Sequence, residues 1–211
     1  MIGVIDYRAG NAPSVGYALE RLGIEHRLVS DPRGLSSADR LILPGVGAAR
    51  ATIDSLEESG LRDPLTALVR GAGVPFLGIC IGLQVLFEHS EEGDVAGLGW
   101  LAGDVRQFRE GLRVPQIGWN EVRFARPHPL IDGLPPTGGY FYFVNSYYAA
   151  PRDPVTVLGS TEYGVDFCSV AVSANIAATQ FHTEKSGRLG LALLANFARW
   201  TPSAEGTGIG A

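Results

Sequence analysis

The chain has 211 residues, which suits one α/β domain better than two small ones. Hydrophobic residues make up 45% and charged residues 18%, so it can bury a sizeable core, and global disorder is excluded. A net charge of −5 argues against the basic face that non-specific nucleic-acid binding needs, and no apolar run reaches the about 18 residues of a membrane helix.

Residues 1–6 form a short apolar run that predicts a buried parallel strand, and Gly10 with Asn11 then breaks the chain. Val15, Ala18, Leu19 and Leu22 form a helical stripe over residues 14–22, closed by Gly23. Residues 24–29 and 40–43 predict two further strands, the second ended by Pro44-Gly45. Helices are expected over 49–58 and 63–70, with Pro64 near a helix start. A strand at 74–79 runs directly into a helix at 82–88, where His89 would close the last turn. Strand–helix alternation of this kind predicts an α/β fold with an open, mostly parallel sheet flanked by helices. The second half predicts strands at 98–109, 113–115, 121–124, 140–144, 155–159, 166–173 and 176–180, an antiparallel addition to that sheet. A closing helix follows at 189–200. The tail at 201–211 has no apolar face and is expected to be disordered, which leaves 1–200 as a single domain with no internal repeat.

Two cysteines, Cys80 and Cys168, are too few for a secreted disulfide scaffold, so a reduced, cytoplasmic protein is the simpler reading. The N-terminus carries neither the basic region nor the long apolar stretch of a signal peptide.

Gly78-Ile79-Cys80-Ile81-Gly82 lies between a strand and a helix and has the G-x-C-x-G form of a nucleophile elbow. Such a turn holds its central residue in a strained backbone, and its neighbours must let the chain pass closely. The side chain then stands at the carboxyl end of a central strand, where open α/β sheets bind ligands. The helix start supplies free N–H groups, Ile81 first, which favour a thiolate and can hold a developing oxyanion. Cys168 sits in an ordinary strand pattern and reads as structural.

Of four histidines, His182 lies beyond a predicted strand with an acid two residues on. In extended chain, residues i and i+2 face the same side, so Glu184 can orient the imidazole and stabilise its cation. His26 and His128 have no acid two residues on, and His89 would sit at a helix end, a favourable dipole position that needs no catalytic role. Nothing in the sequence calls for a metal or cofactor.

Together these segments resemble the class I, triad-type glutamine amidotransferases, and the glutaminase subunits of imidazole glycerol phosphate synthase in particular. The resemblance spans about residues 2–200 and rests on Pro44-Gly45-Val46-Gly47, the cysteine elbow, Gly118-Trp119-Asn120-Glu121 and Gln180-Phe181-His182-Thr183-Glu184-Lys185-Ser186. It implies a flavodoxin-like sheet and a Cys80–His182–Glu184 triad that hydrolyses glutamine to glutamate and ammonia through a glutamyl thioester. It also implies an oxyanion hole from Val46, Gly47 and Ile81, and glutamine contacts from Gln84 and from the backbone of Ser146 and Tyr147. Asn11, Trp119, Asn120, Tyr142 and Lys185 match positions that dock a (β/α)₈-barrel synthase subunit in a heterodimer, which uses the ammonia in histidine biosynthesis.

The chain departs from the family pattern at Arg8, usually glycine, at Asn145, usually histidine, and at Thr183, usually proline. Two other readings share the fold: a glutaminase serving a different synthase, and a catalytically silent regulatory subunit. The G-W-N-E stretch argues against the first, and the retention of Cys80, His182 and Glu184 against the second.

Overall fold

A computed structural model describes residues 1–8, 11–109 and 111–202. The chain break expected at Gly10 and nearly all of the expected tail, 203–211, lie outside the described residues. The first half reads β1 (Ile2–Ile5), α1 (Ala12–Arg21), β2 (His26–Val29), α2 (Pro32–Leu35), β3 (Arg40–Leu43), α3 (Ala49–Glu58), α4 (Arg62–Thr66), β4 (Phe76–Ile79) and α5 (Ile81–Gln84). The second half adds β5 (His89–Ser90), β6 (Val95–Ala96), β7 (Gly103–Gln107), β8 (Gln116–Phe124), β9 (Gly139–Asn145), β10 (Tyr147–Pro151), β11 (Val157–Glu162), β12 (Asp166–Ser173), β13 (Ile176–Thr179) and α6 (Gly187–Arg199).

These strands join one sheet. Its parallel part runs β2-β1-β3-β4-β13, and β12 then pairs antiparallel with β13. The central strands β1, β4 and β13 are buried along their whole length, as strands covered on both faces must be. Successive side chains feed opposite faces: Val4, Ile42, Leu77 and Ala177 join the core under α1 and α6, while Ile5, Leu41, Phe76 and Ala178 join the core under α3, α4 and α5. β8 and β9 pair antiparallel as a ribbon. Phe141, Phe143 and Asn145 face inward, whereas Ile117, Trp119 and Tyr140 are exposed on its outer side.

The expected α/β class and antiparallel addition match this architecture, but several elements differ. The helix after Cys80 is four residues long, not seven. Its later carbonyls are taken by the 97–101 segment: Leu98 N–H donates to Val85 O at 2.7 Å and Trp100 N–H to Leu86 O at 2.8 Å. Residues 98–101 are thereby a loop, and the strand expected from 98 begins at Gly103. His89 does not end a helix; it lies in β5 and pairs with Asp94 at 2.8 Å. Residues 113–115 are not a strand, and β8 starts at Gln116 and runs through the whole G-W-N-E stretch. β10 and α2 were not expected. Asp31 caps α2 by accepting from Arg33 and Gly34 N–H at 2.9 and 3.0 Å.

Leu41 is fully buried in β3, away from Cys80. Leu41→Ala is expected to lower stability by about 2–5 kcal/mol, read as a shift in the urea midpoint at constant slope.

Candidate active site

The site exists because β4 and β13 are parallel neighbours, with Ala178 opposite Gly78 and Thr179 opposite Ile79. Cys80 leaves β4 and donates its N–H to Thr179 O at 2.8 Å, and His182 follows three residues after that carbonyl. Two side chains about a hundred residues apart in sequence thus leave the same sheet edge.

Cys80 has φ 57° and ψ −106°, a conformation that costs a non-glycine residue about 1–3 kcal/mol. The flanking glycines make that turn possible. A Cβ on Gly82 would stand 2.0 Å from Leu43 O, and one on Gly78 would stand 2.3 Å from Gly82 O. Both contacts are with backbone and cannot yield. The elbow therefore presses directly against the end of β3, which carries Pro44-Gly45-Val46-Gly47. Gly45 is itself held between Ile81 and the Tyr7 hydroxyl, and Gly47 has φ 100°.

His182 is buried, and its Nδ1 donates to Glu184 Oε1 at 2.9 Å, which leaves Nε2 for the thiol. Burial disfavours the imidazolium. The hydrogen bonds to Cys80 and Glu184, and their negative charges, outweigh it and raise the group to about 10. Glu184 is not presented by extended chain, as the i, i+2 spacing suggested, but by a tight 3₁₀ turn at Thr183–Lys185. Cys168 is buried in β12, and burial pushes its thiol up to about 12, which suits a structural role.

Val46, Gly47, Cys80, Ile81, Gln84, Ser146 and Tyr147 all line one cavity of about 250 Å³, so the expected oxyanion and glutamine-binding residues come together around the sulfur. Ile81 N–H, in the first turn of α5, has no intrahelical partner. The short α5 leaves little macrodipole, so the local N–H groups carry the electrostatic effect. The Tyr147 carbonyl accepts from both Gln84 Nε2 and Asn145 Nδ2 at 3.0 Å, and the Ser146 carbonyl accepts from Phe108 N–H. The carbonyl of Tyr147 is therefore occupied by side-chain amides. Trp119 and Tyr142 lie opposite one another on β8 and β9 with ring centroids 6.0 Å apart, and Lys185 is exposed nearby in the chain turn after His182. Asn120 is half-buried.

Two residues have a place in the site that the sequence did not signal. Asn11 was expected at a partner surface, yet its Nδ2 donates to Glu184 Oε1 at 3.1 Å and so braces the acid. Glu92 lines the cavity with its Oε2 accepting from Ala49 N–H at 2.8 Å, and partial burial raises its carboxyl above the usual range. Among the three departures, Arg8 has φ 69°, which explains why glycine is usual there. Thr183 is wholly buried, and Asn145 lines the cavity.

The family model for class I glutamine amidotransferases matches residues 4–200, and the chain belongs to that family. Within it the chain is similar to proteins named imidazole glycerol phosphate synthase subunit HisH. The one from Dehalococcoides mccartyi is 48% identical, over 93% of this chain and 96% of that protein. Those from Moorella thermoacetica and Chloroflexus aurantiacus are 46% and 44% identical, over 98% and 99% of this chain and 98% and 100% of theirs. Among solved structures, a crystal structure titled glutamine amidotransferase superposes with a TM-score of 0.75 at 22% identity, covering 94% of this chain and 97% of that one. PurLQS from Thermotoga maritima gives 0.73 at 18%, with the same coverage. These two carry the fold alone.

Gly82→Ala is expected to abolish glutamine hydrolysis, because the new methyl cannot coexist with Leu43 O; a rate within tenfold of the parent would refute the close-approach account. His182 binds its proton more tightly folded than unfolded. The stability this confers is complete below about pH 6.5, the ordinary histidine value, and is lost as pH climbs through about 10. NMR titration of the His182 ring should show that high midpoint, and Cys80→Ala should lower it, since burial then meets less opposition.

Proposed function

We propose that this chain is the glutaminase subunit of an imidazole glycerol phosphate synthase. The observation that carries the reading is the convergence of Cys80, His182 and Glu184 at one sheet edge, beside a cavity of substrate size. His182 Nε2 takes the Cys80 thiol proton as the sulfur attacks the side-chain carbonyl carbon of glutamine, and the electron pair of the C=O bond moves to oxygen. The Ile81 N–H and an N–H of the Val46–Gly47 segment hold that oxyanion. The tetrahedral intermediate collapses with loss of ammonia, which takes its proton from His182. Water, with His182 as base, then hydrolyses the glutamyl thioester to glutamate. Glu184 holds the imidazole throughout, braced by Asn11. Gln84 contacts the bound glutamine, and Glu92, a carboxylate at the cavity wall, suits its α-ammonium group.

The ammonia passes to a (β/α)₈-barrel cyclase subunit, which forms imidazole glycerol phosphate and an aminoimidazole carboxamide ribotide. The names of the relatives support this pathway over another synthase. The exposed Ile117, Trp119 and Tyr140 on the outer face of the β8–β9 ribbon, with Tyr142 and Lys185, form the docking face. That face connects to the triad through backbone: Tyr142 O accepts from His182 N–H at 3.0 Å, and Tyr142 N–H donates to Ser186 Oγ at 3.0 Å. Residues 1–200 act as one domain, which the single sheet through both halves supports. The subunit works in the cytoplasm. Two unbridged, buried cysteines fit that setting, and no described helix is long and apolar enough to cross a membrane.

Cys80→Ala should reduce glutamate release to background, and Cys168→Ala should leave it unchanged. Glu184→Gln should cost about a thousandfold, less than loss of the nucleophile. Glutamate release should rise sharply when the barrel subunit and its nucleotide substrate are added; a rate indifferent to both would sink the pathway assignment while leaving the triad intact.

A further inference from the structure

Gln180 precedes Phe181 and His182, and its side chain is fully buried. Its Nε2 lies 3.8 Å from Cys80 Sγ, within hydrogen-bonding reach of sulfur. Which end of this amide faces the sulfur is fixed by its neighbours. The Tyr147 carbonyl can act only as an acceptor. Gln84 Nε2 donates to it at 3.0 Å and also to Gln180 Oε1 at 3.1 Å. Turning the Gln84 amide over would set its oxygen against two acceptor oxygens. With Gln84 fixed, Gln180 must present its oxygen to Gln84 and its NH₂ group to the sulfur. The chain of amides therefore has one direction, from a backbone carbonyl to the thiol.

Three polar groups then surround Sγ: the Gln180 amide, the His182 ring, and the Val144 carbonyl at 3.9 Å. The carbonyl accepts from S–H and repels a sulfur anion. The amide N–H does the opposite, favouring the anion and gaining nothing from the thiol proton.

We propose that Gln180 is a further catalytic residue, whose amide N–H stabilises the Cys80 sulfur anion when it attacks glutamine and again when it is expelled from the thioester. The donor is strongest when sulfur bears charge and weakest in the neutral thioester, so it assists both sulfur steps. This role rests on Cys80 being the nucleophile.

The test is the rate at which iodoacetamide alkylates Cys80 in the full chain, followed by mass spectrometry across pH, with no glutamine present. Gln180→Met keeps the side-chain length but removes the donor. Gln180→Glu keeps the shape and sets a carboxylate oxygen against the sulfur, with Gln84 still donating to the other oxygen. At pH 7 alkylation is expected to slow by about tenfold in Gln180→Met and further in Gln180→Glu, with the pH profile displaced upward in the same order. Equal rates and profiles in the parent and whichever variants fold would overturn the proposal, even if those variants unfold at lower temperature. A parent protein whose Cys80 alkylates no faster than the buried Cys168 would instead overturn the nucleophile reading beneath it.

Discussion

The molecule's chemistry depends on a single backbone pairing, between β4 and β13. Thr179 O accepts the Cys80 N–H, and that bond fixes the level at which two strands end relative to each other. A slip of one residue would turn every side chain on β13 to the opposite face and carry His182 away from the thiol. The slip is resisted by burial, and by Asn175 just before β13, whose Nδ2 donates to Val69 O and Val74 O at 2.8 Å. All four residues of each strand are enclosed, with the two faces feeding two separate cores. Catalytic geometry at the edge is thus inherited from packing in the middle of the sheet.

The elbow shows how strain is held in place. Cys80 adopts its positive-φ backbone because the chain must turn from a strand into a helix within one residue; the start of α5 leaves no room for a side chain at position 78, and the end of β3 leaves none at position 82. The same crowding brings the 44–47 segment, which continues from β3, against Ile81. Cys80 and the 44–47 segment are neighbours because β4 and β3 are neighbours.

Much of this was legible in the chain. The apolar runs that became β1, β3 and β4 carry their own burial signal, and the G-x-C-x-G spacing states its steric requirement in glycines. β12, buried from Phe167 to Val172, matched its expected bounds at both ends because turn residues flank it. Other features depend on contacts that no local pattern records. The helix after Cys80 looked longer because residues 85–88 suit a helix; the loop at 97–101, folded back by the β5–β6 hairpin, claims their carbonyls instead. β10 was invisible because Tyr147 to Pro151 has strand character only once β7 lies beside it. The i, i+2 argument brought His182 and Glu184 together for the wrong reason: a 3₁₀ turn joins them, not extended chain. Asn11 reaches Glu184 across 173 positions of sequence, which no spacing rule can anticipate.

The order of strands in space is not their order in time. Among the described strands β13 is the last to leave the ribosome, yet it lies in the interior of the sheet, between β4 and β12. Until residues 176–184 have emerged and inserted, Cys80 has neither its N–H acceptor nor its imidazole, and α6 cannot close over the core. Closing so distant a strand pair is slow compared with local helix formation. The growing chain therefore carries an ordinary thiol through nearly all of its synthesis. Cys80 and His182 meet only as folding completes, so the strand that finishes the sheet is also the one that assembles the site.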